Sequence, residues 1–312
     1  MKEKIAIVIP YYNAQDFILK VVEKALMFSD AIIIVNDNSP QPLPIKELDK
    51  ISQVIVIKTP ENMGVGGATK FGFNYATSIE HIVAVVKLDA DDQMDATYIP
   101  SLAKAVIVDG YAMAKGNRFR DFKALKNMPV VRRMGNLFLS FLSKISTGYW
   151  NCFDFNNGFL CIATENIKAF DFNKISNDYF FETSLISELY FQRGKIKEIG
   201  MPAIYGDEAS NMKLFQMPIL FSVNLFKKYI SRIWKSYFMY DFNIGSIYII
   251  FGWPLFLGGV IFGSYKWYHY ALLEKFTPVG TIMISALLII VGFQLLLQAL
   301  QFDMQNNPNN DR

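Results

Sequence analysis

Apolar and polar positions alternate in two distinct patterns over the first 110 residues. Residues 4–9, 31–35, 53–57 and 82–88 are short, near-continuous apolar runs rich in Ile and Val, as expected of strands buried on both faces of a parallel sheet. Between them, residues 15–28, 67–77 and 98–108 space their apolar side chains three and four apart, the pattern of helices that cover such a sheet. Together they predict a doubly wound α/β domain. From 115 to 158 the pattern loosens into a basic and aromatic stretch, and 159–205 returns to strand and helix.

Two later runs are of another kind. Residues 244–265 and 277–302 contain no Asp, Glu, Lys, Arg or His, and each meets the roughly 20 apolar residues needed to cross hydrocarbon as a helix. A buried core helix is the competing reading, but core helices usually keep a polar face, and here two such runs are adjacent. Pro254 and Pro278 do not oppose spanning, because neighbours in a membrane can satisfy a freed carbonyl. The N-terminal MKEKIAIVIPYYN is too short in its apolar part for a signal peptide and leads straight into a strand. The boundaries that follow are 1–212 for the α/β domain, 213–242 for amphipathic juxtamembrane helices, 243–303 for a two-helix transmembrane hairpin, and 304–312 for a tail.

Composition sharpens this division. The chain is 52% hydrophobic and 19% charged, with 27 Phe and 16 Tyr, which excludes disorder and leaves an apolar surplus for the spans. Thirty-one Lys and Arg against 28 Asp and Glu give a net charge of +3, no case for binding nucleic acid. Placement matters more than the total. Lys227, Lys228, Arg232 and Lys235, interleaved with aromatics, precede the first span, whereas Lys266 and Lys275 lie between the spans. An aromatic and basic collar of this kind is expected to lie on an anionic leaflet, and the asymmetry puts the α/β domain and both chain ends in the cytoplasm. The expected location is the inner or plasma membrane. Two Cys and two His support neither a disulfide framework nor a soft metal site, so any metal would be held by oxygen.

Ligands of open α/β sheets bind at the carboxyl ends of the strands, and those ends are polar here: Pro10-Tyr11-Tyr12-Asn13, Asn36-Asp37-Asn38-Ser39, Glu61-Asn62-Met63-Gly64 and Asp89-Ala90-Asp91-Asp92-Gln93. In an extended chain alternate residues share a side, so Asp89, Asp91 and Gln93 can face one hard cation such as Mg2+ or Mn2+; a solvated acidic turn is the alternative. The glycines of Gly64-Val65-Gly66-Gly67-Ala68-Thr69-Lys70 fit a tight turn and close helix packing better than a phosphate cradle, with Lys70 still a candidate for a phosphate. Arg118, Arg132 and Arg133, in a stretch that also holds Arg120, suit an anionic ligand, with a solvated basic surface or a docking patch for anionic lipid as the alternative.

These motifs, with Val8-Ile9-Pro10-x-Tyr12-Asn13 at the start and Asn157-Gly158-Phe159 further on, follow an order and spacing that resembles family 2 glycosyltransferases of the GT-A (Rossmann-like) fold. More narrowly, the chain is similar to dolichyl or polyprenyl phosphate mannosyl- and glucosyltransferases over residues 4–210, and its paired C-terminal spans match their membrane-anchored branch. The resemblance implies an inverting, metal-dependent enzyme that moves a hexose from a UDP- or GDP-linked sugar to polyprenyl (undecaprenyl) phosphate at the cytoplasmic membrane face. The lipid-linked product would serve cell-envelope glycan or glycoprotein modification. It allows a homo-oligomer assembled through the spans.

Residue by residue, the resemblance places Pro10, Tyr12, Asn13 and Asp37 at the nucleobase and ribose, and Asn62, Gly64 and Lys70 around the nucleotide and its phosphates. Asp89, Ala90 and Asp91 fall at the diphosphate, and Asp89, Asp91 and Gln93 at the metal. Arg118, Arg132 and Arg133 fall where the acceptor phosphate is received. Asp154 falls at the acceptor side or catalytic base; on its own chemistry it can also couple to an arginine or be an ordinary turn carboxylate. Glu182 is a lesser acceptor-side candidate, with a salt bridge as the simpler role, and residues 205–210 match a segment that closes over the donor. Asp16 stands two residues beyond the position directly after Tyr-Asn where the family commonly has its acid, and Asn36 and Asn38 stand where an Asp-Gly pair is common. The choice of uridine or guanosine therefore stays open. Two rivals share the fold: a family 2 transferase that extends a glycan directly, and an inactive membrane scaffold.

Overall fold

The computed structural model describes residues 3–120, 130–202 and 217–310, which divide into two units meeting between Lys228 and Tyr229. The first unit is built on a seven-stranded mixed sheet of order β3-β2-β1-β4-β6-β5-β7. Its strands are β1 (Lys4–Tyr11), β2 (Ala31–Asn36), β3 (Val54–Lys58), β4 (Ile82–Lys87), β5 (Met113–Asn117), β6 (Leu160–Ala163) and β7 (Ile196–Gly200). The first four are parallel, as the apolar runs predicted. β6 is antiparallel to both its neighbours, β4 and β5, and β7 is again parallel to β5. The later half therefore departs from plain double winding.

The strands are apolar on both sides because both faces are covered. Odd and even positions separate by the two-residue period of a strand. Ala6, Val8, Ile33, Val35 and Val85 join one core with Phe73, Phe181 and Leu185. Ile7, Ile9, Ile32, Ile34 and Val86 join the other with Ile18, Val22, Ile99 and Leu102. Each of the Val, Leu, Ile and Phe side chains among them contributes about 1.5–3 kcal/mol on burial. The covering helices are α1 (Gln15–Leu26), α2 (Gly64–Ala76) and α3 (Ile99–Ile107), within a few residues of the predicted spans. One helix was hidden in less regular sequence, α4 (Val130–Thr147), inside the basic and aromatic stretch, whereas α5 (Phe181–Leu189) falls in the later stretch read as strand and helix. On α4, Met134, Leu137, Phe138 and Phe141 form an exposed stripe at helical spacing.

A further helix, α6 (Met217–Trp234), leads into the second unit, which holds α7 (Ile244–Leu272) and α8 (Val279–Gln305). At 1.5 Å per residue both α7 and α8 exceed the roughly 30 Å of a bilayer core. Their most apolar stretches are only 22% and 11% buried, the reverse of what a core helix would show. The two helices are long and apolar enough to cross a membrane. They pack through small residues, as helices do where lipid gives no hydrophobic drive. A Cβ on Gly259 would come 2.8 Å from the Ile289 backbone nitrogen, and one on Gly292 would strike the backbone of Phe256. Gly292→Leu is therefore expected to force the pair apart, seen as a clear drop in melting temperature of the detergent-solubilised protein, whereas Gly280→Leu, in open space, leaves it unchanged.

The basic collar needs correction. Lys228 is bonded to Glu188 Oε1 at 2.9 Å and to the Lys174 carbonyl at 2.8 Å. Arg232, 2% exposed, makes a two-pronged bond to Asp303 (2.6 and 2.9 Å), to which the Tyr237 hydroxyl also donates. Two of the four residues assigned to the leaflet thus serve internal carboxylates, because a charge this buried requires a partner.

Candidate functional site

The loops at the carboxyl ends of β1, β2 and β4 and the start of α2 enclose a cavity of about 550 Å3. Pro10, Tyr12, Asn13, Asp37, Asn62, Gly64, Asp89, Ala90 and Asp91 all line it. Backbone geometry explains part of the motif chemistry: Asn13 and Asn38 have φ of 53° and 51°, the left-handed region that Asn tolerates better than most residues. Ser39 ties the two loops together, accepting from the Asn13 backbone N–H through its hydroxyl oxygen and donating its own N–H to Asn36 Oδ1, both at 3.0 Å. Asp37 is 3% exposed. Its Oδ1 accepts from the Thr59 hydroxyl (2.9 Å) and the Met63 N–H (2.8 Å), which fixes the carboxylate at the cavity wall.

Lys70 is the exception among the expected donor residues. It does not line the cavity; its ammonium donates to the carbonyls of Phe172 and Ile175 at 3.1 and 2.8 Å, and burial lowers its pKa. It clamps the segment after β6 rather than meeting a phosphate. The glycines have the packing role favoured from sequence. A Cβ on Gly64 would lie 2.7 Å from the Asn177 carbonyl oxygen, and one on Gly66 2.6 Å from that of Ser176. The same Asn177 carbonyl accepts from the Gly66 N–H at 2.9 Å. This close approach brings Asp178 and Tyr179 into the cavity wall, two residues that carried no motif signal.

The acidic motif resolves into separate roles. Asp92, with φ 58°, turns away to Lys20 and Lys24, each at 2.6 Å. Burial opposes its ionisation, but the two ammonium groups outweigh it and hold its pKa below the usual range. Asp89 and Asp91 line both the large cavity and a smaller polar one of about 140 Å3, to which Gln93, Arg118, Asn157 and Gly158 contribute. Asp91 Oδ1 accepts from the Gln93 N–H at 3.0 Å. Among the described residues no three His, Cys, Asp or Glu converge as a metal site. The donors present are two carboxylates and an amide oxygen, which fit a hard cation that completes its shell with water and substrate phosphate.

Lys87, at the end of β4, lies behind this motif and was missed because it reads as the polar end of an apolar run. It is 1% exposed, 2.6 Å from Asp89 Oδ1 and 3.2 Å from Glu182 Oε1. Burial lowers its pKa, yet the two carboxylates outweigh that and carry it above the ordinary lysine value. Glu182 accordingly has the salt-bridge role. Gly158 roofs the cluster: a Cβ there would come 2.5 Å from Lys87 Nζ and 2.9 Å from Asp89 Oδ2. Gly158→Ala is expected to cost about 1–3 kcal/mol, the usual penalty of overpacking, read as a lowered denaturation midpoint.

Asp154 is 2% exposed and fully engaged. Oδ2 accepts from the Arg118 N–H (3.0 Å) and Nε (2.9 Å), and Oδ1 from Nη2 (2.9 Å), while Lys115 donates to its carbonyl oxygen. Burial raises its pKa, but the Arg118 bonds and the Lys115 charge prevail and hold it below the usual carboxylate value. A carboxylate so occupied orients the Arg118 guanidinium. Glu198, also without sequence signal, accepts from the Phe153 and Asp154 N–H groups and from Asn117 Nδ2, fixing the backbone that carries Asp154. Beside it, Arg120, Arg133 and Lys144 line a third cavity of about 340 Å3 whose walls include Phe119, Leu137 and Phe153. The side chain of Arg132 and residues 205–210 lie outside the described residues.

The model of the family described as Glycosyl transferase family 2 matches residues 6–168. An uncharacterised protein of Methanocaldococcus jannaschii is 30% identical over 207 residues, covering 65% of this chain and 83% of that protein. A UDP-N-acetylglucosamine–dolichyl-phosphate N-acetylglucosaminyltransferase of Methanococcus voltae is 35% identical over 162 residues, 47% of this chain and 64% of that one. Two solved structures share the fold at 15% identity. Glucosyl-3-phosphoglycerate synthase of Mycobacterium tuberculosis, in complex with Mn2+, UDP and glucosyl-3-phosphoglycerate, has a TM-score of 0.53 over 74% of this chain and 80% of its own. A mannosyltransferase of Pyrobaculum calidifontis, in complex with GDP-mannose and Mn2+, has a TM-score of 0.50 over 74% of this chain and 65% of its own.

Proposed function

Because the chain belongs to glycosyl transferase family 2, we propose that it transfers a hexose, with inversion, from a UDP- or GDP-linked sugar to polyprenyl phosphate at the cytoplasmic face of a membrane. The observation that carries this reading is the shared wall: Asp89 and Asp91 border both the large cavity and the small polar one. That wall is where a donor diphosphate and an incoming acceptor would meet. The large cavity takes the nucleotide, with Asp37 held by Thr59 and Met63 to accept from a base or ribose group. A divalent cation, Mg2+ or Mn2+, held by Asp89, Asp91 and Gln93, would supply positive charge to the departing diphosphate. The M. tuberculosis and P. calidifontis proteins, both solved with Mn2+, are in keeping with this.

The acceptor side follows from what the residues leave free to happen. A phosphate monoester has its second pKa near 6, so it arrives as a nucleophile without a base. Asp154, with both oxygens engaged by Arg118, is consistent with chemistry that asks for none. Arg120, Arg133 and Lys144 offer positive charge beside an apolar wall, a match for an anionic headgroup on a hydrocarbon chain. The exposed stripe Met134, Leu137, Phe138 and Phe141 on α4 supports a lipid-facing side on the first unit, and the bare apolar surfaces of α7 and α8 separately support a membrane anchor. The dolichyl-phosphate transferase of M. voltae favours a lipid phosphate over a growing glycan as acceptor.

The test is release of nucleoside diphosphate by the full-length protein in nanodiscs with Mn2+ or Mg2+. Release from one nucleotide sugar, accelerated at least tenfold by undecaprenyl or dolichyl phosphate, is the expected result; release indifferent to the lipid phosphate contradicts it.

A further inference from the structure

Lys87 is an unusual neighbour for a cation-binding motif, since a buried ammonium 2.6 Å from Asp89 Oδ1 occupies one of the oxygens that a metal would use. Its second partner, Glu182, stands on the far side at 3.2 Å and belongs to α5, so the pair is anchored in the core rather than swept aside when a ligand enters. Gly158, which admits no side chain over Lys87 and Asp89, keeps the three groups in contact. The charge reaching a cation at the wall is then that of Asp91 with an Asp89 already half neutralised.

We propose that Lys87 is a positioning residue that prevents the acidic motif from holding a divalent cation by itself, so that the cation enters together with the nucleoside diphosphate. This rests on the donor-site reading above and adds an order of binding to it. Two carboxylates opposed by a fixed ammonium attract a divalent ion weakly, whereas the oxygens of a diphosphate restore both the missing charge and the missing ligands. The protein would thereby avoid storing a cation in an empty site, and would recognise the metal–nucleotide complex as one ligand.

Binding of Mn2+ to the full-length protein, followed by the loss of its free-ion EPR signal, tests this with and without UDP and GDP. The native protein is expected to bind Mn2+ at least tenfold more tightly when the preferred nucleotide is present. Lys87→Met should bind Mn2+ alone about tenfold more tightly than the native protein, because Asp89 then keeps its full charge with no ammonium bonded to it. Lys87→Met with Glu182→Gln, which leaves no unpaired buried charge and guards against misfolding of the single variant, should shift the same way by a few-fold. A purely structural role for Lys87 would weaken Mn2+ binding in both variants, so unchanged or weaker binding overturns the proposal while the nucleotide-dependent binding of the native protein still upholds the donor site. Absence of Mn2+ binding by the native protein with either nucleotide overturns both.

Discussion

Asp91→Ala is expected to reduce sugar transfer by on the order of 10²–10³-fold, the scale seen when a principal electrostatic contact to a departing anion is removed. Asp91 lies at the wall common to two cavities, and the bond its Oδ1 accepts from the Gln93 N–H is local to the turn. Asp91 belongs to neither core cluster, so its removal should leave the fold intact, with a stability change near ±0.5 kcal/mol, typical of sites away from the core. Steady-state turnover beside thermal melting separates the two effects. An inactive variant that melts normally supports a site role, while one that melts far below the native protein assigns Asp91 to the scaffold.

Asp154→Asn should behave in the opposite way. Removing this charge takes away the carboxylate that Arg118 bonds through Nε and Nη2, and breaking a buried ion pair costs about 3–5 kcal/mol. Arg118 is 39% exposed and regains some hydration, so the lower end or less is expected. The folded-state pKa of Asp154 is depressed, so the stability this carboxylate contributes is complete above the unfolded carboxyl value near 4 and is lost as pH falls through the folded value. The native protein should thus show an acid-side loss of stability that Asp154→Asn lacks. Turnover per folded molecule at saturating substrates should stay within about tenfold of native, since a base typically supplies 10²–10⁴. A loss of a thousandfold or more in well-folded Asp154→Asn would restore the base.

Much of this site was legible beforehand because its residues act locally. The strand ends follow from apolar runs that stop at polar turns, and Asn13 and Asn38 satisfy left-handed backbone that the turns themselves demand. The alternation of Asp89 and Asp91 likewise needs only an extended chain. What escaped depends on contacts between distant segments. Lys87 looked like a strand terminus until Glu182 and Gly158 enclosed it, Lys70 looked like a phosphate ligand until the carbonyls of Phe172 and Ile175 claimed it, and Glu198 gave no sign of holding the backbone at Asp154. The helix α4 was obscured because Arg132 and Arg133 stand at its start and its stripe Met134, Leu137, Phe138 and Phe141 is exposed, so its apolar side does not mark a core. Lys228 and Arg232 were assigned to lipid by position alone; the carboxylates of Glu188 and Asp303 that claim them lie far away in the chain.

Identification of the lipid product tests the central claim most directly. The full-length protein in nanodiscs, supplied with Mn2+, a mixed pool of UDP- and GDP-linked sugars and polyprenyl phosphate, should yield a lipid whose mass has risen by one sugar unit and whose sugar is joined through the phosphate. The native protein should make it and Asp91→Ala should not. A lipid fraction of unchanged mass, with sugar appearing instead on a soluble glycan or not at all, would contradict it.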